Sequence, residues 1–434
     1  MAFAHAQAIE VRYAGNRVGA LAAGATATAF QYSADWLRRG VELAPFLMPL
    51  SGGARVYEFR GLRPETFHTL PPAIADSLPD RFGNRIVDAW MARQGVSQSD
   101  ITALDRLAYL DGRAMGALEF APANGPADPP PAILDLAELT IAARAAVAGQ
   151  LDDEGDETTR ALQAVLQIGT SAGGARPKAV LNVDDATGEF RSGALPPGPG
   201  ESAWLLKFDG ATDERTLAES REFTRVEYAY SLMATAAGIR MAETRLFHEG
   251  GRAHFMTRRF DRPATGERVH MTTLCGLRAL DNDDVGVHDY AELLQAIVDL
   301  GLSADALVEA FRRMAFNVMA VNHDDHTKNH AFLMDASGRW SLAPAYDLTY
   351  ANVPGHPYMG QHCMGVDGEF RLITAGHLLR LADRFAIPYA KRELRRVRDV
   401  VDSWPEFAAK AEVPAVQIAA ISAAHRTLGR GIAV

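Results

Sequence analysis

The chain has 434 residues, so two or three domains of about 100–200 residues each are expected rather than one compact core. Hydrophobic residues make up 48% and charged residues 23%, which is ordinary for a globular protein, and no apolar run approaches the roughly 18–20 residues of a membrane span. The net charge of −10 disfavours direct binding to nucleic acid, and two cysteines exclude a disulfide framework or a four-cysteine zinc site. Without a secretory signal pattern, a cytoplasmic location and no membrane attachment are expected.

Composition divides the chain into three zones. Residues 1–128 mix short strand-like and helical runs, and the proline-rich stretch 122–131 is typical of a linker. A strand-rich zone follows over 132–262, and helical periodicity dominates 263–434. This order predicts an α+β chain with a two-lobed plan, in which a small strand-rich lobe precedes a helical lobe and an additional α/β subdomain lies at the N-terminus. Ligand clefts commonly lie between such lobes.

The strand-rich zone contains two predicted strands, at 178–183 (KAVLNV) and 203–208 (AWLLKF), followed by a helix. That helix is indicated by Phe223 and Met233, which belong to a series of apolar residues three and four apart. Lys207 lies in the second strand, where burial of the ammonium would be costly unless it meets an anion. The alternative is an outward-facing lysine on a half-exposed strand.

A loop of small residues, GTSAGGARPK at 169–178, precedes the first of these strands. Glycine-rich loops allow backbone N–H groups to approach phosphates closely. The loop lacks the full spacing of the known phosphate-binding motifs, so a plain turn is an equal alternative.

The segment NHDDHTKNH at 322–330 directly follows a predicted helix over 303–321, for which Ser303 is the expected N-cap. Asp324 and Asn329 are five residues apart. Phosphoryl transfer needs a carboxylate that accepts the proton of the attacking hydroxyl and an oxygen ligand for Mg²⁺, and the Asp-x-x-x-x-Asn pattern of protein kinases supplies both. The His-Arg pair that usually precedes this aspartate is absent.

A hairpin is predicted next, from the apolar runs at 331–335 and 340–350 around a Ser-Gly turn. Asp347 follows the second run, where kinases place a second Mg²⁺-binding aspartate, although the glycine of the usual Asp-Phe-Gly triplet is missing. The glycine loop, strand lysine, Asp-x-x-x-x-Asn pattern, hairpin and aspartate occur in the order that a kinase requires.

The alternative enzyme is a metal-dependent hydrolase, since imidazole and carboxylate groups could bind a transition metal. The residues of this cluster are His323, Asp324, Asp325, His326 and His330. A degenerate kinase fold that acts only as a binding module is a second alternative. The retained lysine and acidic positions of the kinase pattern argue against it.

At this point the sequence resembles the HipA family of toxin kinases. SAGGARPK is similar to that family's phosphate-binding loop, NHDDHTKNH to its catalytic loop and LAPAYDL to its magnesium motif. RRFDR at 258–262 is similar to the linker that holds adenine, with Arg258 at a position where the family often has glutamate. The N-terminal FRGLRPE, LPDRFGN and MGALEF fit the family's additional domain, so the resemblance covers nearly the whole chain.

The resemblance implies an ATP- and Mg²⁺-dependent serine/threonine kinase, with Asp324 as the catalytic base, Asn329 and Asp347 as Mg²⁺ ligands and Ser171 as an autophosphorylation site that switches the enzyme off. The implied nucleotide-binding residues are Gly173, Gly174, Ala175, Arg176, Pro177, Lys178, Lys207, Arg258, Arg259, Phe260, His326, Thr327, Lys328, Asn329, Tyr346 and Asp347. It also implies a small helix-turn-helix antitoxin of HipB type, which would provide the only link to DNA. The implied substrate is a serine or threonine of a cellular protein, such as an aminoacyl-tRNA synthetase.

Overall fold

The computed structural model describes residues 3–24, 26–79, 81–129, 132–147, 177–210 and 223–428. The chain forms two compact units. The first unit comprises Met1–Arg221, Phe247–Thr272 and Met334–Arg339, and the second comprises Glu222–Leu246, Thr273–Leu333 and Trp340–Val434. Within the described ranges, no helix has both the length and the apolar character required to cross a membrane.

The first unit contains an antiparallel sheet of five strands in the order β4-β3-β2-β1-β5. Its strands are β1 (Ala8–Tyr13), β2 (Asn16–Ala22), β3 (Ala29–Tyr32), β4 (Val56–Tyr57) and β5 (Leu118–Ala121). The accompanying helices are α1 (Ala34–Arg39), α2 (Pro64–Phe67), α3 (Pro72–Ala75), α4 (Arg81–Arg93) and α5 (Ala103–Leu110). Ile9, Val11 and Tyr13 alternate along β1 and are buried, as the period of two in a strand requires.

A second five-stranded sheet has the order β7-β6-β8-β10-β9. Its strands are β6 (Lys178–Asp184), β7 (Phe190–Ser192), β8 (Glu201–Lys207), β9 (Thr244–Glu249), which enters the first unit at Phe247, and β10 (Arg252–Arg258). The helix α6 (Leu136–Val147) and α4 cover one face, where Leu139 and Ile86 pack with Leu181, Trp204 and Leu206 in one apolar cluster. The predicted strands at 178–183 and 203–208 are confirmed, to within two residues at their ends.

The second unit is mainly helical. Its helices are α7 (Phe223–Ala236), α8 (Leu274–Arg278), α9 (Tyr290–Asp299), α10 (Ala304–Met319), α11 (Ala375–Arg384), α12 (Ala390–Asp402), α13 (Trp404–Lys410) and α14 (Ala415–Leu428). The remaining strands of the described chain are β11 (His270–Thr273), which crosses the unit boundary, β12 (Ala331–Met334) and β13 (Trp340–Leu342). The predicted hairpin corresponds to β12 and β13.

The helix predicted over 303–321 is confirmed as α10, which buries Phe311, Met314 and Val318 along one side. Ser303 occupies the N-cap position as predicted, although its side chain makes no capping hydrogen bond. The predicted α+β class, strand-rich first and helical later, is confirmed. The domain boundaries at 128, 132 and 262 stay a prediction.

Candidate active site

The loop after α10 begins with an abrupt change of direction. Val321 has a φ of +56°, a left-handed conformation that a β-branched residue rarely adopts and that ends the helix. Burial alternates along the loop from His323 onwards. His323, Asp325 and Thr327 are buried, whereas Asp324 and His326 between them are partly exposed.

The two adjacent aspartates of the loop have opposite environments. The side chain of Asp324 is 49% exposed, whereas Asp325 is 0% exposed. The carboxylate of Asp325 accepts hydrogen bonds from Tyr290 Oη (2.9 Å), His362 Nδ1 (2.9 Å), Cys363 N (2.8 Å) and Met364 N (3.3 Å). Burial raises the pKa of Asp325, but the charge and hydrogen bond of His362 and the hydroxyl of Tyr290 outweigh burial, so that its pKa lies below the ordinary value.

Asn329 is hydrogen-bonded to the outward-facing aspartate of the loop, Asp324. Its Nδ2 donates to the backbone oxygen of Asp324 at 2.7 Å. This bond fixes the amide, so Oδ1 lies on the opposite side of the group and can serve as a metal ligand. His326 also approaches Asp324, with 3.8 Å between Nε2 and Oδ1. The predicted catalytic base and the first predicted Mg²⁺ ligand therefore lie together.

The segment that contains Asp347 is bound to the same loop at both ends. At one end, the Tyr346 hydroxyl donates to the carbonyl of Lys328 at 2.6 Å. At the other end, the carbonyl of Ala351 accepts from His323 N at 2.9 Å, in a short parallel bridge. Asp347 lies between these attachments, next to Tyr346, with a φ of +53°. A carboxylate and an amide oxygen on two adjoining segments match the donor preference of Mg²⁺, which also binds phosphate oxygens and water.

Two histidines of the loop, His323 and His330, pack against other rings, and the histidines are not grouped around one point. The His323 ring lies 4.5 Å from that of His362, and His330 packs on Tyr290 at 5.4 Å. Burial lowers the pKa of His323 and of His330 to about 4 in each case, so both rings are neutral at pH 7. Within the described residues, which include all of 322–330, no three His, Cys, Asp or Glu side chains are arranged for a metal ion. The hydrolase alternative thus lacks the cluster it needs.

In the first unit, two lysines lie directly opposite each other on neighbouring strands. Lys178 of β6 pairs with Lys207 of β8, and Lys207 pairs in turn with Phe255 of β10. The three residues share the sheet face opposite Trp204 and Leu206, and the Lys207 Nζ lies 5.8 Å from the Phe255 ring. Lys178 is 5% exposed and Lys207 is 8% exposed, so the alternative of an exposed lysine is wrong. Like charges directly opposite each other are unfavourable in a sheet. The contacts of both lysines with phosphates stay a prediction.

The RRFDR segment forms a buried ionic network within the first unit. Arg259 makes two hydrogen bonds to Asp261, at 2.9 and 2.7 Å, and Arg262 contacts the same carboxylate at 2.9 Å. The backbone N–H of Gly116 donates to Asp261 at 2.7 Å. The guanidinium of Arg259, which was predicted to contact nucleotide, is thus engaged by Asp261. The nucleotide contacts of Arg258, Arg259 and Phe260 stay a prediction.

The remaining predicted site residues either lie outside the described residues or contact other parts of the protein. Ser171, Gly173, Gly174, Ala175 and Arg176 lie outside the described residues. Pro177 is buried, and its carbonyl accepts from Phe208 N at 3.2 Å, while buried Thr327 donates to the carbonyl of Leu280 at 2.8 Å. Tyr290 and His362, which hold Asp325, were missed because no local spacing connects them with the loop.

Comparison with known proteins gives the family. The sequence family described as the HipA-like C-terminal domain matches residues 170–405, and the HipA N-terminal domain family matches residues 9–121. A search of curated proteins found no match.

Solved structures include HipA of Shewanella oneidensis MR-1, from a toxin–antitoxin complex with HipB and operator DNA. It shares 20% identity and a TM-score of 0.66, over 98% of this chain and 96% of that chain. The proinflammatory kinase CtkA of Helicobacter pylori shares 13% identity and a TM-score of 0.30, over 51% of this chain and 92% of that one.

The fold is thus the mixed α+β fold of HipA, with an N-terminal and a C-terminal family domain in the same order. Because the C-terminal domain family spans more than half of the chain, this protein belongs to the HipA family.

Proposed function

We propose that this protein is a Mg²⁺-dependent serine/threonine kinase that transfers the γ-phosphate of ATP to a cellular protein and acts as the growth-arresting toxin of a toxin–antitoxin pair. The observation that carries the proposal is the two-ended attachment of the Asp347 segment to the loop of Asp324 and Asn329. It supports a common site for one outward-facing carboxylate and two oxygen ligands.

In this proposal Asp324 orients the hydroxyl of the substrate and accepts its proton, which its exposure allows. Asn329 and Asp347 hold Mg²⁺, while Lys207 and Lys178 hold the phosphates. Bound Mg·ATP supplies the phosphoryl group and neutralises charge as the phosphate is transferred. Glycine-loop residues 173–176 cover the triphosphate, and Tyr346 supports the metal segment through its bond to the loop.

The partner we propose is a small helix-turn-helix antitoxin of HipB type. The Shewanella HipA structure, which contains HipB and operator DNA, supports this assignment. The net charge of −10 is consistent with a protein that reaches DNA through its partner rather than by itself. The substrate class is a protein serine or threonine.

The test measures phosphate transfer from radiolabelled ATP with and without Mg²⁺, in the wild type and in Asp324→Asn. Loss of the base should lower the rate about 10²- to 10⁴-fold, while ATP still stabilises the protein thermally in the presence of Mg²⁺. Asp335→Asn is the matched control, because this turn aspartate is similarly exposed, at 41%. Expression of the wild type without a partner should arrest growth, and Asp324→Asn should relieve the arrest. Equal transfer rates in the wild type and Asp324→Asn would overturn the proposal.

Autophosphorylation of Ser171 is part of the same proposal. A phosphate there adds about −1.5 to −2 charge beside the triphosphate site, which should weaken ATP binding. Intact-mass and peptide-mass measurements on the same samples should find the phosphate in the wild type and not in Asp324→Asn. An unmodified Ser171 after prolonged incubation with Mg·ATP would remove this switch and leave the transfer activity to be judged separately.

A further inference from the structure

A chain of buried hydrogen bonds runs from the helices of the second unit into the loop of Asp324. Asn322 Nδ2 donates to Asn317 Oδ1 at 3.0 Å, and Asn317 Nδ2 donates to Tyr290 Oη at 2.8 Å. The Tyr290 hydroxyl in turn donates to Asp325 at 2.9 Å. Tyr290 begins α9 and Asn317 lies in the last turn of α10, so two helices hold one loop carboxylate through side chains alone.

The same carboxylate is held from the other side by residues that follow the Asp347 segment. His362 Nδ1 donates to Asp325 at 2.9 Å, and the backbone amides of Cys363 and Met364 donate at 2.8 and 3.3 Å. One buried group therefore joins α9, α10 and the 362–364 stretch to the loop.

This arrangement determines which aspartate faces outward. Because burial alternates from His323 to Thr327, the side chain of Asp325 points into the fold and that of Asp324 points outward. A shift of the loop by one residue would bury Asp324 and expose Asp325. The energy that opposes such a shift comes from the hydrogen bonds of Asp325, since a buried carboxylate without its partners is strongly unfavourable.

We propose that Asp325 is a positioning residue, which His362 and Tyr290 hold so that the neighbouring Asp324 faces the reacting hydroxyl. The proposal rests on the proposed kinase function for its effect on rate. The anchor lies on the C-terminal side of the proposed catalytic base and takes the place of the His-Arg pair that usually precedes this aspartate, where Asn322 and His323 stand here. His362 contributes through its Nδ1 donor rather than through ring packing.

Two substitutions at His362 distinguish the role of its hydrogen-bond donor from that of its ring packing. Asn places an amide N–H where Nδ1 lies and so keeps the donor, but it removes the ring that packs edge-on against His323, with 4.5 Å between the ring centroids. Phe keeps the ring and removes the donor. Tyr290→Phe removes the second side-chain donor to Asp325 together with the acceptor of Asn317 Nδ2. His425→Phe is the control for a histidine-to-phenylalanine change at another buried site.

The readouts are kcat and KM for Mg·ATP, and hydrogen–deuterium exchange of the 322–330 peptide without nucleotide. His362→Phe should lower kcat about 10- to 100-fold and leave KM nearly unchanged, since misplacement of a reacting group by about 1 Å has effects of that size. The same variant should raise exchange in 322–330. His362→Asn should stay within about threefold of the wild type, because the charge-assisted donor is retained, and Tyr290→Phe should lie between.

The proposal would be overturned if His362→Phe had a normal kcat and His362→Asn a lowered one, because the role of His362 would then be ring packing. Equal kcat and equal exchange in the wild type and His362→Phe would overturn it as well. A wild type without any ATP-dependent transfer refutes the kinase function instead. The exchange measurement still decides in that case whether His362 and Asp325 hold the loop.

Discussion

The segment 259–262 of the first unit and the loop 322–329 of the second both combine charged residues in a motif, yet they have different roles. In the first segment, Asp261 is fully buried and is enclosed by Arg259, Arg262 and a backbone amide. In the loop, one aspartate is enclosed in the same manner and its neighbour is left half exposed. A charged motif therefore stabilises structure where its charges are paired internally, and it can do chemistry where one of them remains accessible.

Electrostatics supports this distinction. Burial raises the pKa of Asp261, but the charges of Arg259 and Arg262 outweigh burial and hold that pKa well below its usual range. Burial and repulsion by Arg259 lower the pKa of Arg262 to about 9. The three side chains therefore depend on one another, and loss of the central carboxylate leaves two buried guanidinium groups without their shared anion.

The largest effect is expected at Asp261, where a substitution tests the comparison between the enclosed and the accessible aspartate. Asp261→Asn should lower the free energy of unfolding by about 3–5 kcal/mol, because it leaves buried charges uncompensated. Asp324→Asn should change stability by less than about 0.5 kcal/mol, as is usual for an exposed position. Urea unfolding of the two variants beside the wild type measures the difference. Similar stabilities of the two variants would show that the ionic network is not the stabilising element inferred here.

A smaller effect is expected at the opposed lysines of the second sheet. Lys207→Met should weaken Mg·ATP binding about 10- to 100-fold, since hydrogen bonds to charged groups contribute about 1.5–3 kcal/mol.

Titration calorimetry with Mg·ATP tests this lysine prediction. Lys391→Met, at an exposed helix position, is the control. Unchanged affinity in Lys207→Met would remove the lysine pair from the phosphate site.

The smallest effect concerns the hydrogen bond between the C-terminal helix α14 and Tyr230. The Tyr230 hydroxyl donates to the carbonyl of Ala320 at 2.6 Å, so His425 Nε2 in α14 donates to Tyr230 Oη at 2.9 Å. Burial lowers the pKa of His425 to about 4, with repulsion by Arg398 and Arg426 in the same direction. Below about pH 6.5 the unfolded state therefore takes up a proton while the folded state does not. The free energy of unfolding thus decreases as the pH is lowered.

Between pH 7 and 5.5 this histidine alone should lower the free energy of unfolding by about 1 kcal/mol. His425→Phe should remove that part of the pH dependence, since Tyr230 keeps its bond to Ala320. Urea unfolding at both pH values measures the change. An identical pH dependence in the variant and the wild type would contradict the assignment.

The sequence by itself determined the local elements and their order. Strands at 178–184 and 201–207, the helix from 304 to 319 and the hairpin after it follow from periodicity and turn residues, which act over a few neighbours. The positions of Asp324, Asn329 and Asp347 as candidates follow from spacing, and the HipA resemblance from the motifs themselves. Each of these signals is contained in a short stretch of chain.

Only the tertiary structure decided which of these residues are enclosed. Asp325 is held by Tyr290 and His362, which lie 35 and 37 residues away in sequence, and no local pattern connects them. The same holds for the opposition of Lys178 and Lys207, which depends on strand register. The enclosure of Asp261 also depends on a distant segment, since the backbone amide of Gly116, 145 residues away, donates to it. Burial and hydrogen-bond partners are set by packing between distant segments, so that adjacent aspartates with the same chemistry in the sequence become an anchor and an accessible carboxylate in the fold.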